Sequence, residues 1–143
     1  MPSAEDTVTI KRPLHEVFAF IAEKENDPRW RPGVAEIERI SGDGTTGTKY
    51  RQLVNGPGGR RIPADFEITG YEPGKRLEFR TTAGPVRPEG SFDLVEGGGA
   101  TRVTFKLDAE LPGTKKLMAP MVSRSMRKEV QSLDRLKRIL ETG

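Results

Sequence analysis

Residues 101–140 read TRVTFKLDAELPGTKKLMAPMVSRSMRKEVQSLDRLKRIL, and the spacing of their apolar side chains changes once along this stretch. Over residues 101–111 every second side chain is apolar, which predicts a strand with one buried face. After Pro112 and Gly113 the apolar side chains recur every three or four positions, which predicts one long helix over about residues 115–141. A strand with one apolar face followed by an amphipathic helix indicates a sheet that this helix covers.

The residues before this stretch predict the other elements. Residues 7–11 alternate and should form the first strand, and residues 13–23 have helical spacing. The Asn26-Asp27-Pro28 signal should open a second short helix, which carries Trp30. Five more strands are predicted, at residues 34–40, 48–54, 62–71, 76–82 and 89–95. We therefore predict an α+β fold, in which a curved antiparallel sheet of about seven strands wraps around a long C-terminal helix. Two short helices lie between strands one and two, and an internal cavity is expected where sheet and helix diverge.

The composition indicates one domain and excludes several kinds of site. A length of 143 residues suits a single domain over residues 1–143. The chain has no cysteine and one histidine, His15. Disulfides, thiolate metal sites and multi-histidine metal sites are therefore excluded, and a Ser-His-Asp triad is disfavoured. We expect no metal and no cofactor.

The net charge of +3 is unevenly placed. Residues 111–143 contain eight basic and three acidic residues, a net charge of +5, so the remainder carries −2. This basic helix could bind nucleic acid or anionic lipid. A solvated outer face is favoured, because no aromatic residues interleave with the charges, and no nucleic acid is expected. The chain has neither a long apolar run nor an N-terminal apolar leader, so a cytoplasmic location is expected.

Three stretches and the basic terminal helix carry a family resemblance that covers nearly the whole chain. They are TVTIKRPLHEVFAFIAEKENDPRWRPGVAEIE (residues 7–38), GTKYRQ (residues 47–52) and ITGYEPGKRLEFRTTAGPVRPEGSFDLVEGGGATRVTF (residues 68–105). The chain resembles the START-like, or Bet v 1-like, helix-grip (SRPBCC) superfamily, and within it the bacterial polyketide cyclase/dehydrase-like proteins. The resemblance implies a helix-grip fold. Similar proteins include aromatic polyketide cyclases, lipid and hormone carriers and ligand sensors, so fold alone does not give the function.

The expected ligand-contacting residues follow from the direction of each side chain. By alternation, nine sheet residues should point inward: Tyr50, Gln52, Phe66, Ile68, Phe79, Thr81, Phe92, Phe105 and Leu107. Trp30 should lie at the cavity mouth, and the terminal helix should close the cavity with Met118, Met121, Val122 and Met126. The alternative is that these residues are simply core. Gln52 and Thr81 could orient a ligand, or could be satisfied within the core. A bulge at Gly70 or a register shift could also turn Tyr71 and Arg51 inward.

No catalytic residue is identified from the sequence. His15 lies off the apolar face of its helix and is interpreted as solvated. The acidic pairs Glu36/Glu38, Asp65/Glu67 and Asp108/Glu110 fall on predicted outer faces.

Three hypotheses follow. The leading one is binding of a small hydrophobic or aromatic ligand, polyketide-like or lipid-like, in the cavity. The second is a cyclase or dehydratase that acts on such a ligand. The third is a protein- or membrane-interaction module that uses the basic C-terminal helix. A monomer or a homodimer is expected.

Overall fold

Eight strands and four α-helices make up residues 2–142, the part of the chain that the computed structural model describes. Short 3-10 turns lie at Lys24–Asn26, Pro57–Gly59 and Gly113–Met118. The helices are α1 (Leu14–Ala22), α2 (Asp27–Trp30), α3 (Ala119–Val130) and α4 (Leu133–Thr142). The strands are β1 (Ser3–Ile10), β2 (Val34–Ser41), β3 (Lys49–Asn55), β4 (Arg61–Pro63), β5 (Phe66–Glu72), β6 (Arg76–Thr81), β7 (Glu89–Gly97) and β8 (Ala100–Asp108).

The strands form one antiparallel sheet in the order β1-β8-β7-β6-β5-β3-β2, with β4 paired to β3. Directly opposed residues such as Phe92 and Phe105 share the inner face, and both are buried. Helices α3 and α4 pack against β1, while α1 contacts β7 and β8. Helix α2 contacts both β2 and α4. The predicted α+β architecture, a curved sheet around a C-terminal helix with short helices after strand one, is therefore confirmed.

The predicted strand over residues 62–71 is two strands in the structure. The first, β4, pairs only with β3, whereas β5 pairs with β3 and β6. Pro63 ends β4, because proline has no N–H to donate to a ladder. The Asp65 carboxylate then accepts a hydrogen bond from the Gln52 backbone N–H at 3.1 Å. Apolar alternation continues through this kink, so the pattern alone did not reveal it.

The predicted long helix is also divided. The chain forms the 3-10 turn at Gly113–Met118, and regular α-helix starts only at Ala119. Pro120 suits this first turn, because its missing N–H would have no helical partner there. A second break falls between α3 and α4, where the Ser132 N–H donates to Glu129 O at 3.0 Å in a tighter i→i+3 bond. Both pieces still bury one stripe, which includes Met126 in α3 and Leu136 in α4.

Replacing Gly90 by alanine should lower the free energy of unfolding by about 1–3 kcal/mol, because the added methyl overpacks the inner face. The new Cβ would lie 2.4 Å from Phe79 Cζ and 2.8 Å from Leu107 Cδ2. Urea unfolding measures the loss. Gly113→Ala is the matched control, since no heavy atom lies within 4 Å of its added Cβ. Equal stability of the two variants would contradict the tight packing at Gly90.

Candidate functional site

Six aromatic rings meet in the interior and form what we call the aromatic cluster: Trp30, Tyr50, Phe66, Phe79, Phe92 and Phe105. Phe92 stacks on Phe105 with ring centroids 4.3 Å apart, and Tyr50 stacks on Phe66 at 4.9 Å. Phe79 lies between these two pairs, 5.9 Å from Phe66 and 6.1 Å from Phe92. The inward direction predicted for these sheet residues is correct. The rings contact one another, so side chains occupy the middle of the interior in this structure.

Trp30 lies deeper than the sequence suggested. Its indole is fully buried and packs edge-on against Phe92 at 6.0 Å and Phe105 at 6.2 Å. Its predicted position at the cavity mouth is wrong, because α2 turns the ring toward the sheet instead of along its edge.

The structure buries most of the other predicted ligand-contacting residues around the aromatic cluster. Met118 is partly buried against this core, but Met121 is 54% exposed. Residues four apart share one helix face, whereas adjacent residues point about 100° apart, so Met121 cannot follow Val122 inward. The role of the set in ligand binding stays a prediction. The buried members are Gln52, Ile68, Thr81, Leu107, Val122 and Met126.

A group of buried charges that the residue pattern did not predict lies against the aromatic cluster. We call Lys24, Asp27, Arg31 and Glu129 the ionic cluster. Asp27 Oδ2 accepts hydrogen bonds from Arg31 Nη1 at 2.8 Å and from Lys24 Nζ at 3.5 Å. Arg31 Nε donates to Glu129 Oε1. Asp27 is fully buried and Lys24 is 2% exposed, so four charges, two of each sign, sit at or near the interior.

Three chain segments bring the ionic cluster together. Lys24 lies on the 3-10 turn before α2, Asp27 is the first residue of α2, and Glu129 comes from α3. Lys24 Nζ lies 4.6 Å from the centroid of the Phe92 ring, within reach of a cation–π interaction. The spacing of Lys24, Asp27 and Arg31 was a visible signal, because residues three and four apart are neighbours on a helix. Such residues are usually solvated, so their burial was not predicted.

Gln52 extends the ionic cluster into the sheet. Its Oε1 accepts a hydrogen bond from Arg31 Nη1 at 3.3 Å, and its Nε2 donates to Ala64 O at 3.0 Å. Both ends of the amide are therefore satisfied within the protein. Gln52 holds Arg31 in place, which matches the core alternative considered from the sequence.

Burial changes the proton affinity of the groups in this region. Burial lowers the pKa of the Lys24 ammonium, and the nearby Asp27 carboxylate offsets part of this effect. Burial would also lower the pKa of Arg31, but Glu129 and Asp27 outweigh it and raise that pKa. Burial raises the pKa of Tyr50 to about 12, with a smaller contribution from Glu25. Lys24 is therefore the member of the ionic cluster that burial predisposes to lose its proton.

Two buried polar atoms of α2 have no hydrogen-bond partner among the described residues: Asp27 Oδ1 and Trp30 Nε1. An unsatisfied buried donor or acceptor costs about 1–3 kcal/mol. One atom is an acceptor and the other a donor, on side chains three residues apart. A buried polar atom without a hydrogen-bond partner needs an explanation, such as a ligand or a water molecule that supplies the missing hydrogen bond.

Arg51 and Tyr71, which the sequence offered as further inward-facing residues, lie outside the aromatic cluster. Arg51 points outward and pairs with Glu36 and Glu38, so the possibility that it faces the interior is wrong. A bulge does occur between Ile68 and Gly70, and it turns Tyr71 onto Phe18, with ring centroids 5.6 Å apart.

His15 is exposed, as expected. It borders a surface groove of about 530 Å³ between α1 and α4. Arg12, Phe20, Arg29 and Leu140 also line this groove.

A model of the family described as polyketide cyclase / dehydrase and lipid transport matches residues 1–141. The chain belongs to this family. The predicted resemblance to polyketide cyclase/dehydrase-like proteins is thereby confirmed. No curated protein matches the chain at a significant level.

Solved structures show the same fold as this member of the polyketide cyclase / dehydrase and lipid transport family. TTHA0849 from Thermus thermophilus superposes with a TM-score of 0.83 at 22% identity, covering 99% of this chain and 98% of that one. A START superfamily protein from Mycobacterium smegmatis gives 0.79 at 19% identity, covering 98% and 97%. The di-domain ARO/CYC BexL of the BE-7585A biosynthetic pathway gives 0.76 at 18% identity, covering 100% of this chain and 48% of BexL. At these identities the likeness concerns the fold.

This family member has no helix, within residues 2–142, with the length and apolar character needed to cross a membrane.

The buried lysine of this family member predicts a pH dependence. Because the pKa of Lys24 is lower in the folded than in the unfolded chain, the unfolded chain binds more protons just below the ordinary value of 10.5. The stability of the wild type should therefore rise with pH in this range, relative to Lys24→Met, by up to about 1.4 kcal/mol per pH unit. Urea unfolding of both proteins at a series of alkaline pH values measures the difference. Lys116→Met, at an exposed position, is the control and should follow the wild type. A pH-independent difference for Lys24→Met would contradict the prediction.

Proposed function

We propose that this protein binds a small hydrophobic or aromatic ligand between the inner face of its sheet and α3, with the polar end of the ligand at the ionic cluster. The observation that carries the proposal is the pair of unpaired buried atoms, Asp27 Oδ1 and Trp30 Nε1, beside the aromatic cluster. Ligand sites are mostly apolar with a few placed polar groups, and this arrangement has that character.

The two unpaired atoms suggest the chemistry of the ligand. A hydroxyl or phenol on the ligand would donate to Asp27 Oδ1, and a carbonyl or hydroxyl oxygen would accept from the Trp30 N–H. The apolar remainder would pack on the aromatic rings and on Met126, whose flexible side chain adapts to varied shapes. A polyketide-like molecule, with several oxygens on an aromatic or apolar frame, has this combination.

Entry requires movement, because the rings are in mutual contact. The 3-10 turn at Gly113–Met118 is the segment we expect to open. Its Leu117 is 97% exposed, and the Lys115 ammonium donates to Pro85 O at 2.6 Å in the loop between β6 and β7. Lids of this kind open and close over a site without a change in the core fold.

A larger side chain on the inner face of α3 should weaken ligand binding. We expect wild-type protein to bind 2-naphthol, an aromatic alcohol, and Val122→Phe to bind it at least about tenfold more weakly, because the larger side chain occupies the ligand volume. Val122 is 7% exposed and faces the core from α3. Ser125→Phe, at an exposed position of the same helix, is the control and should bind like wild type. Isothermal titration calorimetry gives all three affinities. Failure of wild type to bind 2-naphthol, or equal binding by Val122→Phe, would overturn the proposal.

A second candidate function is cyclase or dehydratase chemistry on the bound ligand. The Lys24–Asp27 pair favours it, because it places an acid and a base of the kind used in proton transfer beside the apolar site. Holding a reactive chain in one conformation would supply much of the remaining effect. Cyclisation or dehydration of a poly-β-ketone by wild type, lost in Lys24→Met, would support this function over passive binding.

The interaction-module hypothesis rests on exposed basic residues of α3 and α4, among them Arg124, Lys128 and Arg135. Other basic residues of this segment bind within the protein: Lys137, for example, donates to Thr9 O at 2.6 Å and to Glu141. This hypothesis therefore ranks behind ligand binding. The oligomeric state and the cytoplasmic location stay predictions.

A further inference from the structure

Among the lysines within residues 2–142, Lys24 is the one whose side chain is buried, with 2% of its surface exposed. Lysine normally buries its methylene stem and keeps its ammonium in water. Here the nitrogen ends 4.6 Å from the centroid of the Phe92 ring and 3.5 Å from Asp27 Oδ2. The amine therefore sits at the boundary between the ionic cluster and the aromatic cluster, where an apolar ligand with a polar end would present its oxygen.

The ionic cluster does not depend on the Lys24 proton for its pairing. Arg31 contacts both carboxylates, Asp27 Oδ2 at 2.8 Å and Glu129 Oε1, whereas Lys24 reaches Asp27 only at 3.5 Å. When Lys24 loses its proton, Asp27 and Glu129 both keep their guanidinium partner. Burial is the main cause that lowers the pKa of Lys24, and the positive charge of Arg31 acts in the same direction, against the Asp27 carboxylate. Desolvated lysines beside a cation are the ones that act as nucleophiles toward carbonyl groups.

The Asp27 carboxylate, beside the Lys24 amine, can accept a proton. Asp27 Oδ1 has no hydrogen-bond partner among the described residues, although the other oxygen of the same carboxylate binds both cations. After the Lys24 nitrogen has attacked a carbonyl carbon, this free carboxylate oxygen can take a proton from the nitrogen. It can return that proton to the former carbonyl oxygen and then pass on the second nitrogen proton, so that the oxygen leaves as water.

We propose that Lys24 forms an imine with aldehyde or ketone ligands held in this site, so that the ligand class includes carbonyl compounds on an aromatic or apolar frame. The inference rests on the proposed ligand-binding function. The neutral Lys24 Nζ adds to the carbonyl carbon and gives a carbinolamine, which loses its hydroxyl as water. The C=O double bond is thereby replaced by C=N. One molecule of water is released, and no oxidant or reductant takes part.

Reductive trapping tests the inference. The protein is incubated with 2-naphthaldehyde, reduced with sodium cyanoborohydride, and analysed by intact mass and peptide mapping. We expect one adduct per chain at Lys24, formed at least about tenfold faster than adducts on exposed lysines such as Lys116. The rate at Lys24 should level off at a lower pH than the rate at exposed lysines, since only the neutral amine reacts and burial lowers the pKa of Lys24. An excess of 2-naphthol should suppress the Lys24 adduct and leave surface labelling unchanged, because it competes for the site but cannot form an imine.

Lys24→Arg keeps the positive charge and removes the primary amine. It should give no adduct at position 24, while exposed lysines such as Lys116 are labelled as in wild type. If Lys24→Arg does not fold, imine formation at Lys24 is tested on the wild type alone, by the competition between 2-naphthol and 2-naphthaldehyde.

Labelling spread over exposed lysines without preference for Lys24, or a Lys24 adduct that 2-naphthol does not suppress, would overturn the inference. Binding of 2-naphthol with no Lys24 adduct would refute imine formation and leave the proposed function standing. If 2-naphthol does not bind at all, the proposed function fails, and this inference, which rests on it, fails too.

Discussion

Replacing Asp27 by asparagine should lower the free energy of unfolding by about 3–5 kcal/mol, because it removes one partner of a buried ion pair. Asp27 is fully buried, and its Oδ2 accepts from Arg31 at 2.8 Å and from Lys24 at 3.5 Å. Asparagine has a similar shape but no charge, so two cations would remain with only Glu129 of the ionic cluster to balance them. Urea unfolding near neutral pH measures the loss.

A surface ion pair is the matched control for this change. Glu67 accepts a hydrogen bond from Arg80 at 2.9 Å on the outer face of the sheet, where the Arg80 side chain is 54% exposed. Glu67→Gln should therefore lower the stability by less than about 1 kcal/mol. The double variant Asp27→Asn/Lys24→Met should recover part of the loss, since it also removes the cation with the fewest other partners. A loss at Asp27 no larger than the loss at Glu67 would contradict the description of the ionic cluster as buried.

Replacing Phe92 by alanine should lower the free energy of unfolding by about 3–5 kcal/mol, through lost burial and the cavity left behind. Phe92 is 1% exposed, and its ring packs on Trp30, Phe79 and Phe105. It also lies under the Lys24 ammonium. Phe92 therefore joins the aromatic cluster to the ionic cluster, and its loss disturbs both halves of the candidate site.

Val95→Ala, on the same strand at 55% exposure, is the control and should change the stability by no more than about 0.5 kcal/mol. The fluorescence of Trp30, the one tryptophan of the chain, gives a second readout. The loss of the Phe92 ring should shift Trp30 emission, whereas Val95→Ala should leave it unchanged. Equal stability of Phe92→Ala and Val95→Ala would contradict the conclusion that packing within the aromatic cluster stabilises the core.

The inner face of the sheet was predictable because its signal is local. In β8, Val103, Phe105 and Leu107 alternate with polar residues, and all three are buried. The divided strand β4–β5 was not predictable in the same way. Alternation continues past Pro63. The two strands are separated by a break in the pairing with β3 between Pro63 and Phe66, after which β5 also pairs with β6, and the order of residues does not express this break.

The aromatic half of the candidate site was predicted and the ionic half was not. Tyr50, Phe79 and Phe105 follow the two-residue period, so their direction could be deduced. Lys24 and Asp27 lie in a short segment without an apolar period, where charged residues are usually solvated. Their burial accompanies the packing of the 3-10 turn at Lys24–Asn26 against β2 and of α2 against β2 and α4.

The sequence by itself determined the order of the elements, the inner face of the sheet and the buried stripe of the terminal helix, since these depend on the periods of neighbouring residues. Only the tertiary structure decided that Arg31 would meet Glu129, 98 residues further along the chain, and that Lys24 would end against Phe92. A charge does not reveal from its neighbours whether it will be buried, because that depends on which distant carboxylate or ring the fold brings to it.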